Sequence, residues 1–150
     1  MERRNFLQLT GCAALAAFFG SMTEVIGAER NVNAFNARSL ESVYAALGIK
    51  APRESKDIKI ELPDVAENGA NVPVEVTVNL PNLQRVLVIA EKNLFPLIAD
   101  ISFTSQSDPW AEIKIKLAET SRVRVIVEAS GRLYTASRPV RVIVGGCLPG

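Results

Sequence analysis

The chain has 150 residues, of which 22% are charged, with 17 basic against 16 acidic and a net charge of +1. That is room for one domain, and no basic run is present to hold a phosphate backbone. The sequence has two cysteines and no histidine, which removes the commonest general base and leaves no tetrahedral zinc set without carboxylates.

The chain opens with Arg3-Arg4 ahead of Phe6-Leu7, and an alanine-rich apolar run follows over 9–20. The run is too short to span a bilayer as a stable helix, and its flanks suit a removable leader. It resembles a twin-arginine export signal over residues 1–27, with cleavage after Gly27 or Ala28. Export to the periplasm is the expectation, with no membrane span in the mature chain. Leu9-Thr10-Gly11-Cys12 also reads as a lipoprotein processing box, but Cys12 comes early and the apolar run continues past it. Removal of 1–27 takes Cys12 away and leaves Cys147 as the single cysteine. An odd cysteine in an exported protein implies an intermolecular disulfide or a free reactive thiol.

Residues 28–144 read as one domain. After a polar lead-in over 28–38, Ser39 is placed to cap a short helix. Leu40, Val43, Tyr44 and Leu47 recur at helical spacing, and Gly48 closes it ahead of Pro52. This helix is expected to plug one end of the domain. From Asp57 the period changes to two. Ile58, Ile60 and Leu62 alternate with Lys59 and Glu61; Val72, Val74, Val76, Val78 and Leu80 alternate with Glu75, Thr77 and Asn79. Ile113, Ile115 and Leu117 alternate with lysines, and Val123, Val125 and Val127 with Arg122, Arg124 and Glu128. Further strands are expected over 85–91, 97–103, 133–137 and 140–144, with turns at Asn68-Gly69, Pro81-Asn82, Asp108-Pro109 and Ser130-Gly131. Seven or eight short antiparallel strands predict an all-β, immunoglobulin-like β-sandwich with a short N-terminal helix. In 86–90 both faces are apolar, which fits either a central strand or a face that meets another protein.

Residues 145–150, Gly-Gly-Cys-Leu-Pro-Gly, are expected to form a short mobile arm. Gly145 and Gly146 serve as its hinge, because glycine lacks the Cβ that restricts other residues, and they put Cys147 on display. Three extended residues span at most ~10 Å. A cysteine is among the most often buried residue types, so one on a terminal arm points to chemistry at the thiol.

Several stretches match a known family. They are Ala66-Glu67-Asn68-Gly69 with Val72-Pro73-Val74; 93–99, beginning Asn93-Leu94-Phe95-Pro96; 115–121 with Val123; and Gly131-Arg132-Leu133-Tyr134 leading to Val140 and Gly145-Gly146-Cys147. In this order they resemble the SoxY family, the sulfur-carrier subunits of the periplasmic thiosulfate-oxidising system. The resemblance runs from about Ser39 to Cys147. It implies a carrier rather than an enzyme, with sulfur intermediates held covalently on Cys147 and no cofactor or metal. It also implies partners: a smaller β-sandwich subunit, SoxZ, as heterodimer partner; a c-type cytochrome, SoxAX, that conjugates thiosulfate; a sulfate-releasing hydrolase, SoxB; and a sulfane dehydrogenase, SoxCD. The family tail is usually Gly-Gly-Cys-Gly-Gly. Here Leu148 and Pro149 follow the cysteine, a stiffer and bulkier end, since proline fixes its own φ and restricts the residue before it.

The other reading of the residues is an exported β-sandwich interaction module whose cysteine forms an intermolecular disulfide, with no sulfur carriage. A free-standing enzyme has the least support, because no paired-carboxylate constellation accompanies the lack of histidine.

Overall fold

The computed structural model describes residues 29–143. The leader expected over 1–27 and the arm expected over 145–150 lie outside that range. The chain divides into two units, Met1–Arg30 and Asn31–Gly150. Of the first, only the exposed Glu29 and Arg30 are described; every element below belongs to the second.

The period-two segments form two facing sheets. Nine strands occur among the described residues: β1 (Arg53–Glu54), β2 (Ile58–Glu61), β3 (Val65–Ala66), β4 (Val72–Val78), β5 (Leu83–Ala90), β6 (Leu97–Ser102), β7 (Trp110–Ile115), β8 (Ser121–Ala129) and β9 (Arg132–Val142). The larger sheet runs β1-β9-β8-β5-β6 with β3 joined to β9, and the smaller runs β2-β4-β7. Val72, Val74, Val76 and Val78 of β4 share one core with Val86 and Val88 of β5 and Val123, Val125 and Val127 of β8. Each such side chain contributes about 1.5–3 kcal/mol when fully buried. The expected all-β sandwich is the observed fold. Its long pairings are antiparallel, whereas the two-residue β1 and β3 join β9 in parallel. Those two bring the strands to nine rather than seven or eight, and two residues are too few to show a period.

The segments expected as separate strands over 133–137 and 140–144 join in the single strand β9, which ends at Val142; Val144 lies outside the described residues. Pro139, which falls between them, does not break it. It sits opposite Arg122, between the stretches of β9 paired with β1 and with β3. The amides of Arg141 and Ile143 both point to the β3 edge, so the strand's period of two aims the proline nitrogen at that edge as well. No strand pairs there, and the missing N–H interrupts no ladder.

Helix α2 (Leu40–Leu47) has the expected Ser39 cap, with the Ser39 hydroxyl accepting from the Ser42 amide at 3.1 Å, and Gly48 closes it at φ 66°. Helix α1 (Val32–Phe35) lies in the stretch read as a lead-in. One turn is too short for periodicity to reveal, and it is fixed by Asn31. That side chain accepts from the Ala34 amide and donates to the Ala46 carbonyl. Both helices lie on the outer face of the larger sheet rather than plugging one end. Ala34, Ala37, Val43 and Ile49 enclose Leu87, Ile89, Leu97 and Ile126. This layer accounts for β5: Val86 and Val88 face the inter-sheet core, and Leu87 and Ile89 face the helices. The doubly apolar strand is a central one, and its outer face is covered by the chain's own helices.

Candidate functional site: the root of the C-terminal arm

The described chain stops at Ile143, four residues before Cys147. Cys147, Gly145 and Gly146 all lie outside the described residues. What the structure does define is the ground from which those residues start.

Strand β8 begins at Ser121, opposite Val140, so β9 continues for two residues beyond its neighbour. On the other side β3 takes over the pairing. The Arg141 amide donates to the Asp64 carbonyl at 2.9 Å, and the Ile143 amide to the Ala66 carbonyl at 3.0 Å. The Val142 amide faces the side where β8 is absent, and there the Thr120 hydroxyl accepts its proton at 3.0 Å. The last residues of β9 are thus held from both sides, by a backbone ladder and by one side chain standing in for a strand.

The loops beneath are tied to the same place. The Leu117 amide donates to the Gly69 carbonyl at 2.7 Å. A Cβ on Gly69 would stand 2.5 Å from the Leu117 carbonyl oxygen and 2.9 Å from Val142 Cγ1, so the close approach admits only glycine. Asn93 clasps the neighbouring loop, its Nδ2 donating to the Lys116 carbonyl at 2.7 Å and its Oδ1 accepting from the Ala118 amide at 3.0 Å. The Lys92 amide donates to the buried Ser121 hydroxyl at 3.1 Å. Three of the four stretches that carried the resemblance therefore meet with the end of β9. The remaining residues, Gly131 to Tyr134, open β9 at the far end, where Ser130 and Gly131, both at positive φ, make the hairpin turn.

Among the described residues, two ion pairs stand at the root. Arg138, which is near Cys147 in sequence, donates to the Asp64 carboxylate at 2.6 Å and to the Ile60 carbonyl at 3.2 Å, so an acid already offsets its charge. Arg124 is held by Glu91 at 2.7 Å. Arg141 is exposed.

Among the described residues, no group of three or more His, Cys, Asp or Glu is placed to hold a metal, and no helix is long and apolar enough to cross a membrane. A cleft of about 580 Å³ opens at the opposite end of the sandwich. Its walls include Leu80, Leu83, Phe103, Thr104, Ser107 and Pro109, and no titratable side chain lines it. The turn at Asn68-Gly69 was legible in sequence; the roles of Gly69, Asn93 and Thr120 at the root were not. Asparagine, glycine and threonine are ordinary loop residues, and nothing local says which distant backbone each one meets.

The model of the family "Sulfur oxidation protein SoxY" matches residues 43–147 of this chain. Its last matched position is therefore Cys147. Among solved structures, the sulfur carrier protein SoxY from Chlorobium limicola f thiosulfatophilum is 33% identical, with a TM-score of 0.63, and the match covers 71% of this chain and 97% of that one. Two variant forms of a superoxide reductase (neelaredoxin) from Ignicoccus hospitalis share the fold alone. One is 18% identical, with a TM-score of 0.53, covering 70% of this chain and 93% of that one. The other is 19% identical, with a TM-score of 0.52, covering 66% of this chain and 87% of that one. No curated protein matches this chain.

Proposed function

This chain belongs to the SoxY family of sulfur oxidation proteins, and we propose that it carries sulfur-oxidation intermediates covalently on Cys147, in the periplasm, after twin-arginine export. The observation that carries the proposal is one of continuity. The family match runs through β9 to its last position at Cys147, and β9 delivers the chain to an exposed residue, Ile143, on a root fixed from both sides.

The chemistry follows from the thiol. In loading, the Cys147 sulfur forms an S–S bond to the outer sulfur of thiosulfate. The thiol loses its proton, two electrons pass to a c-type cytochrome of the SoxAX kind, and a cysteine S-thiosulfonate anion results. In unloading, a SoxB-type hydrolase uses water to cleave the bond from the sulfane sulfur to the sulfonate. Sulfate and two protons leave, and a persulfide anion remains on Cys147. A SoxCD-type dehydrogenase then takes electrons from that sulfane sulfur. In this scheme the chain is a substrate of each enzyme in turn and catalyses nothing itself, and it works as a heterodimer with a SoxZ-like subunit. An ordinary thiol, with a pKa of ~8.5, is only a few per cent thiolate near neutrality. Asp64 already offsets Arg138, and in this scheme the thiol is activated in the partner's active site.

The test is the intact mass of the mature protein from the periplasm of thiosulfate-grown cells, before and after reductant, with the adduct mapped. The expected result is a reducible sulfur or thiosulfate mass on Cys147, absent in Cys147→Ser. A clean free thiol, or only a covalent dimer, would replace the carrier with the disulfide-linked interaction module.

A further inference from the structure

Six large apolar side chains are exposed among the described residues, and four of them stand at the end of the sandwich that holds the arm's root. They are Val65 (42%), Leu94 (63%), Phe95 (43%) and Ile143 (50%). Val65 pairs with Arg141 in the β3–β9 ladder, and Ile143 is where the described chain ends. Leu94 and Phe95 form the tip of the β5–β6 turn, which reaches the root through Asn93 and the 116–118 loop. That tip is held in place. The Ala90 amide donates to the Pro96 carbonyl at 2.9 Å below it, and the Arg38 guanidinium lies 5.5 Å from the centre of the Phe95 ring. Apolar side chains exposed singly need no explanation, but a group of them at one end does.

We propose that this apolar end is a docking platform shared by the enzymes that act on Cys147, an inference that rests on the carrier function proposed above. The geometry of reach selects the occupant. Four residues past Ile143, Cys147 lies within about 14 Å of it even at full extension. Any enzyme that takes the thiol into a recessed active site must therefore bring the rim of its channel down onto the ground around Ile143. The partner surface that fits is an apolar rim flanked by carboxylates. Apart from the pairs Arg138–Asp64 and Arg124–Glu91, the exposed charges around the root are Lys92, Lys116, Arg122 and Arg141 against Glu67 and Glu119. A basic excess draws an acidic rim and sets a salt-sensitive association rate. A platform common to several enzymes also suits a carrier that must release one partner before the next can bind.

The experiment compares the mature wild-type chain with Leu94→Ser/Phe95→Ser, and with Trp110→Ser as a control for exposed apolar loss at the far end. Each is loaded with thiosulfate by a c-type cytochrome of the SoxAX type, and each is separately titrated with a small aromatic disulfide that needs no docking. The double variant is expected to lose roughly tenfold in kcat/KM, the size expected on truncating an interface anchor. The loss should appear in KM, while the reaction with the small disulfide and the Trp110→Ser control stay unchanged. Rising salt should lower the wild-type loading rate. Equal loading of wild type and double variant overturns the platform alone. A parallel loss of small-disulfide reactivity also overturns it, by making the defect structural. A wild-type chain that is never loaded overturns the carrier function, and the platform with it.

Discussion

Thr120 takes the place of a strand beside Val142. Its hydroxyl accepts the Val142 amide proton at 3.0 Å, one residue before β8 begins at Ser121. Replacing it with valine keeps the shape and removes both the acceptor and the hydroxyl that donates to the Val142 carbonyl at 3.5 Å. Each such bond contributes about 0.5–1.5 kcal/mol, the longer one at the low end, and the loss is local to the last residue of β9. Thr120→Val is therefore expected to speed hydrogen exchange at Val142 while leaving β8 and the middle of β9 protected. Unchanged exchange at Val142 would mean that the β3 ladder alone fixes the root.

Gly69 and Gly131 separate two reasons for needing glycine. At Gly69 an added methyl would meet the Leu117 carbonyl and Val142, and a backbone oxygen cannot swing aside. Gly69→Ala is expected to destabilise the domain by about 1–3 kcal/mol, as overpacking does. At Gly131 nothing lies within 4 Å, and the backbone sits at φ +68°. Gly131→Ala is expected to lose only about 1–2 kcal/mol of left-handed strain. Urea denaturation reads both. Hydrogen exchange then tells them apart, because only the Gly69 variant should also loosen the amides of Leu117 and Val142.

These contacts mark how far the sequence could be read. The valine alternation of β4 and β8 fixes an inward and an outward face, because side chains alternate along a strand, and the sandwich was legible from that alone. So was α2, from Ser39 and Gly48. The helix layer was legible only in half: the outward Leu87 and Ile89 asked for a cover, but apolar surface does not name what covers it. Only the tertiary contacts show that Ala34, Val43 and Ile49 do so. The root was the least legible part. Thr120 and Val142 are 22 positions apart, and a hydroxyl can bond to any amide that the fold brings near.

Asn93 makes its clasp with both ends of one amide. Asn93→Asp keeps the acceptor for the Ala118 amide but turns a carboxylate oxygen toward the Lys116 carbonyl, where a donor stood at 2.7 Å. Two acceptors facing each other repel. The variant is expected to unfold about 1–3 kcal/mol more easily, the cost of an unmet polar group. Part of that loss should return below the carboxylate's own pKa, when the acid can donate again. A stability deficit that does not change with pH would show that the clasp is not a hydrogen bond in which Asn93 donates.

Tyr44 connects α2 to alkaline stability. Burial under the helix layer, the largest cause, raises its pKa above the usual 10.0; Arg124 opposes the shift, and Glu91 and Glu41 add to it. A phenol whose folded pKa is raised is favoured in its neutral form by the fold. That contribution is fully present below the unfolded pKa and is lost as pH rises through the folded one. Urea midpoints are expected to fall as pH rises above the ordinary phenol value of 10.0 in the wild type, and less steeply in Tyr44→Phe, which has no proton to lose at that position. An identical alkaline slope in the two proteins would assign the loss to other groups.

Leu148 and Pro149 set this carrier apart from the Gly-Gly ending its family usually shows. The proline fixes one torsion and restricts the leucine before it, so the two residues cannot narrow as a pair of glycines does. A partner channel cut for glycines is expected to resist them; one that evolved with this chain is expected to hold the leucine. Loading of Leu148→Gly/Pro149→Gly is therefore compared using two cytochromes of the SoxAX type. One comes from a system whose carrier ends in Gly-Gly-Cys-Gly-Gly, the other from the source of this chain. With the first, the variant should load roughly tenfold faster than wild type, a barrier change of about 1.4 kcal/mol. With the second it should load no faster, and more slowly if the leucine is gripped. Equal rates for both proteins with both cytochromes would mean that the residues after Cys147 do not enter the channel. Partner choice would then rest with the apolar ground around Ile143.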